Sequence, residues 1–79
     1  MPTPTKEADW ADHARRFLKA ELKRADVSYA DLAKRLEKHG LKESEASITS
    51  KLARGTFPAT FFLATLAALE LEGIRLEDI

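Results

Sequence analysis

The chain has no cysteine among its 79 residues. That removes disulfide staples, thiolate metal sites, iron–sulfur clusters and cysteine nucleophiles together, and it suits a reducing compartment. Glycine and proline are scarce, three of each, so there are few points at which the chain is made to turn or a helix to break. Neither sign of charge is in excess. With 13 basic and 13 acidic residues, a uniformly basic, nucleic-acid-coating protein is excluded and only local patches remain. No apolar run approaches the roughly 20 residues of a membrane span, and Met1-Pro2-Thr3-Pro4-Thr5-Lys6 lacks the apolar segment of a secretory signal. A soluble, cytoplasmic protein is expected.

What is present suffices for one core and no more. Hydrophobic residues make up 44% of the chain and charged residues 33%, a balance that favours folding over disorder in a length too short for two domains. The glycines and prolines punctuate four periodic segments, which predict an all-α, compact four-helix domain over residues 9–79 behind a flexible leader, 1–8.

The first helix is expected from Asp9 to Ala25. Trp10, Ala14, Phe17, Leu18, Leu22 and Ala25 recur at helical steps on its inner face, and Asp9 and Asp12 are placed to cap its start. Ser28 caps a second helix, 29–39, with Asp31 three residues on, positioned to reach back to the capping amide. Its stripe is Tyr29, Leu32, Ala33 and Leu36, and Gly40 stops it. Ser44 caps a third helix, 45–54, with Ile48 and Leu52 inward and Gly55 at its end. Pro58 opens a fourth, running to about Leu71 and ended by Gly73, so apolar on every side that it must lie centrally or meet a second subunit. Trp10, Tyr29 and the phenylalanines are core by spacing; Phe57, in the loop before Pro58, is instead a candidate exposed contact or dimer anchor.

This order resembles the lambda-repressor-like helix-turn-helix family. The resemblance is carried by Val27-Ser28-Tyr29-Ala30-Asp31-Leu32-Ala33, by Ile48 through Lys51-Leu52-Ala53-Arg54-Gly55, by Pro58, and by Leu66-Ala67-Ala68-Leu69-Glu70-Leu71. The chain is more similar still to an uncharacterised group of small bacterial proteins with that type of fold, through Trp10, Leu18-Lys19-Ala20-Glu21-Leu22, Arg54-Gly55-Thr56-Phe57 and Phe61-Phe62. The repressor resemblance implies a small regulator that binds double-stranded DNA, with the third helix in the major groove and the second across the phosphates. Carried over by position, Ser44, Glu45, Ser47, Thr49, Ser50 and Lys51 face base edges, while Ser28, Tyr29, Lys34, Arg35, Lys38 and Arg54 meet phosphate. A homodimer is expected through Phe57, Ile74, Leu76 and Ile79.

Charge distribution favours the same reading. Residues 1–55 hold twelve basic and nine acidic residues, the remainder one and four, so the neutral chain is polarised. Arg16, Lys19, Lys23, Lys34, Arg35 and Lys38 form an outer basic stripe fit either to follow a phosphate backbone or simply to stay solvated. His13 and His39, the only histidines, have no partners at metal-ligand spacing, so neither metal nor cofactor is expected. No nucleophile elbow, phosphate loop or His–carboxylate constellation marks an enzyme. A competing reading is a non-enzymatic protein-interaction module. The interval from Ala33 to Ile48, more than a helical turn longer than in the repressor motif, favours it, as do the acidic residues Glu43 and Glu45.

Overall fold

The computed structural model describes residues 4–79, so the leader's first three residues lie outside the described part. Four helices follow in order: α1, Glu7–Ala25; α2, Tyr29–Glu37; α3, Glu45–Arg54; and α4, Ala59–Ala68. A single 3-10 turn, Leu76–Asp78, comes last. There is no strand among the described residues, and the protein is an all-α four-helix domain. Helix α3 packs against both α1 and α2, and α2 against α4.

Leu18 and Leu22 of α1, Leu32 and Leu36 of α2, Ile48 and Leu52 of α3, and Phe61 and Leu66 of α4 make the core. The pairs in α1, α2 and α3 are four residues apart, the step that keeps two side chains on one helical face, and the pair in α4 is five apart. Helix α4 also buries Thr65 completely, and its hydroxyl has no hydrogen-bond partner among the described residues.

Three of the helices end alike. After α1, the Val27 amide reaches the Leu22 carbonyl at 2.9 Å; after α2, Leu41 reaches Leu36 at 3.1 Å; after α4, Leu71 reaches Leu66 at 2.9 Å. The residue before each donor is left-handed: Asp26 at φ 57°, Gly40 at 86° and Glu70 at 60°. These are Schellman ends, in which an apolar residue just beyond the helix folds back onto it. Gly55 closes α3 by a shorter route, its amide reaching the Lys51 carbonyl at 2.9 Å.

Several sequence expectations need correction. Helix α1 begins at Glu7 and has no side-chain cap; Asp12 instead pairs within the helix with Arg15 and Arg16. Asp31 does not reach back to Ser28 but pairs with Arg35 at 3.5 Å. Helix α2 stops at Glu37, because its last residues tighten into the turn at Gly40. Pro58 caps α4 from outside, and Glu70, well before Gly73, is the residue that turns the chain out of it. Trp10, expected in the core, is 40% exposed; α4, expected to lie centrally or to keep a side for a second subunit, leaves Leu63 62% exposed.

Candidate nucleic-acid interface

Ser44 starts α3 with a reciprocal cap: its hydroxyl accepts from the Ser47 amide at 3.0 Å, and the Ser47 hydroxyl accepts from the Ser44 amide at 2.9 Å. These bonds satisfy amide donors that the helix cannot satisfy itself. They make a helix of a segment rich in hydroxyl and β-branched residues, which are poor helix formers.

The cap also divides the expected base-reading residues in two. Ser47 donates to the Glu43 carboxylate at 2.6 Å, and Lys51 donates to the same oxygen at 3.1 Å. The Lys51 ammonium also lies 5.7 Å from the centre of the Phe61 ring, a cation–π distance. Ser47 and Lys51 therefore join Ile48 and Leu52 on the packed side and do not face outward as the sequence suggested. Glu45, Ala46, Thr49, Ser50, Ala53 and Arg54 form the exposed side. Thr49 returns its hydroxyl proton to the Glu45 carbonyl at 2.9 Å; Ser50 and Arg54 make no side-chain hydrogen bond or ion pair among those of the described residues.

The phosphate candidates separate in the same way. Ser28 caps α2, accepting from the Asp31 amide at 3.1 Å, and Tyr29 is half-buried against the core. Arg35 is half-exposed but engaged by the protein itself: besides pairing with Asp31, it donates to the Ala68 carbonyl at 3.2 Å. It thereby places positive charge at the carbonyl end of α4, where a helix favours a cation. Lys34 and Lys38, one helical turn apart, are exposed, as is Lys42 in the loop before α3; none has an ion-pair partner among the described residues. In the basic stripe Arg16 is held by Asp12 at 3.1 Å, whereas Lys19 and Lys23 are unpaired among the described residues.

Of the expected dimer contacts, Phe57 is half-buried, stacked on Phe62 at 6.1 Å and tilted on Phe61 at 5.3 Å. Ile74 packs on the protein's own core. Ile79 is half-buried, and its carbonyl lies 2.9 Å from Nδ1 of His13. Leu76 is 73% exposed. Glu43, which in the sequence stood out only for its negative charge, organises the packed side of α3. Its signal was present in the four-residue spacing of Glu43, Ser47 and Lys51.

Among the described residues no cluster of three histidine, aspartate or glutamate side chains could hold a metal ion, and no helix is long and apolar enough to cross a membrane. Comparison with curated proteins and with solved structures gives no match. The family model for a domain of unknown function, DUF6471, matches residues 10–74, from the exposed Trp10 to the apolar segment beyond α4, and the chain belongs to that family.

Proposed function

We propose that this protein is a small, non-enzymatic DNA-binding regulator of the lambda-repressor-like helix-turn-helix type, acting in the cytoplasm as a dimer. The observation that carries the reading is the two-sided build of α3. One side is seated on α1 and α2 with Ile48 and Leu52 buried and is braced by the Glu43–Ser47–Lys51 network to the loop before it, and the other presents only small or polar side chains along its length. A helix held from behind, with small outer residues, suits close approach to base edges in a major groove. Thr49 and Ser50 are the reading residues, and Lys34, Lys38, Lys42 and Arg54 supply phosphate contacts. The exposed Leu63 and Leu76 offer apolar surface to a second subunit.

The test is selection from a randomised duplex library at low and near-physiological salt. An enriched motif supports the reading, and a two-fold motif supports the dimer with it. Binding that disappears with salt and enriches nothing would count against it. A protein-interaction module without DNA binding is the second reading, favoured by the internal engagement of Arg35 and Lys51, one expected at phosphate and the other at the base edges.

A further inference from the structure

Beside the junction of α1 with the α3–α4 turn lies a trough of about 600 Å³, more open than enclosed and lined by ten residues. Its walls are aromatic and apolar: Trp10 and Ala14 on α1, and Phe57, Pro58 and Phe62 opposite. The one ionisable side chain lining it is Glu7, exposed and without an ion-pair partner among the described residues. No lysine, arginine or histidine lines it. From this geometry we infer that the trough docks a partner-protein segment in which an apolar side chain stands next to a lysine or arginine.

Three observations point to that occupant. The indole of Trp10, the largest side chain in the sequence, stays 40% exposed in the wall of the trough, and aromatics of this kind anchor protein interfaces when a partner buries them. The charge is complementary: an unpaired carboxylate beside aromatic rings attracts a cation through both Coulomb and cation–π terms. The size selects among partners. Ten residues fall well short of the roughly 20–30 a side of a stable dimer. An open trough also cannot enclose a small molecule to the ~70–90% that ligand pockets achieve, whereas it can hold a short chain segment.

Trp10 is the chain's single tryptophan, so its fluorescence reports the site directly. The experiment titrates the full chain with three blocked peptides in which leucine alternates with lysine, serine or glutamate, and maps the contact by amide chemical shifts. The lysine peptide is expected to change the emission saturably, to bind at least tenfold more tightly than the glutamate peptide, and to shift Trp10, Ala11, Thr56 and Phe57. Glu7→Gln, an exposed change whose fold is checked by circular dichroism, is expected to weaken the lysine peptide about threefold, as loss of one exposed ion pair does. Equal binding of basic and acidic peptides would overturn the proposal, as would shifts centred on the outer face of α3. Self-association that covers Trp10 and excludes the peptide would overturn it too, by giving the trough to a second copy.

Discussion

Replacing Gly55 by alanine is the sharpest test of how α3 is held. Gly55 has φ 75° and Gly40 has φ 86°, so a side chain at either site meets left-handed strain of about 1–2 kcal/mol. In the unfolded chain alanine recovers part of that, about 0.4–1 kcal/mol, through lost backbone freedom. The sites differ in their surroundings. A methyl on Gly40 meets nothing within 4 Å, whereas one on Gly55 lies 2.7 Å from the carbonyl carbon of Ala11, and closer still to its oxygen. Carbon atoms rest about 3.5–4 Å apart, so the backbone of α1 must retreat by about 1 Å, and enforced overpacking adds about 1–3 kcal/mol. Gly40→Ala is therefore expected to cost about 1 kcal/mol or less and Gly55→Ala about 2–4 kcal/mol. For 79 residues the whole stability is about 4–12 kcal/mol, so the second change consumes a large share of it. Urea denaturation followed by circular dichroism measures both, with the slope m checked for constancy. Equal losses at the two sites would refute the claim that α3 is seated by backbone contact with α1.

Other substitutions separate fold from recognition. Thr65→Val removes a fully buried hydroxyl with no partner and is expected to leave stability unchanged or raise it by about 1 kcal/mol; a clear loss in a thermal melt would mean that the hydroxyl is bonded. Lys51→Ala leaves the Glu43 carboxylate without its cation at 3.1 Å and is expected to cost about 1–3 kcal/mol while leaving any selected DNA motif unchanged; a changed motif would put Lys51 at the bases. Ser50→Ala is expected to do the reverse, altering the motif at nearly constant stability. Lys34→Ala is expected to weaken binding to all duplexes and lower the slope of log affinity against log salt by about one, and a sequence-selective loss would contradict the phosphate contact proposed for it.

The helices were legible because their signals are local. The Ser44 cap, the Ile48–Leu52 pair and Gly55 lie within a few residues of each other, and α3 has the predicted bounds. The end of α4 was not legible: a left-handed Glu70 has no sequence mark, whereas Gly73, which fits the usual pattern, goes unused. Trp10 misled for a different reason. Its spacing puts it on the inner side of α1, but α1 extends past the core, so the periodicity continues where nothing is left to cover it. On α3, spacing gave the hydroxyl cluster and set Glu43, Ser47 and Lys51 in one row, but the fold was needed to show that this row lies on the packed side and leaves Thr49, Ser50 and Arg54 outside.

The division of α3 into two sides also bears on how this protein can change. The residues that seat the helix, Ile48, Leu52 and the Glu43–Ser47–Lys51 network, are separate from Ala46, Ser50, Ala53 and Arg54, which are exposed and contribute nothing to the core. Exposed positions of this kind tolerate substitution within about 0.5 kcal/mol. A lineage, or a designer, can therefore rewrite the outer surface residue by residue while the scaffold behind it stays fixed, and each new surface is presented at the same angle.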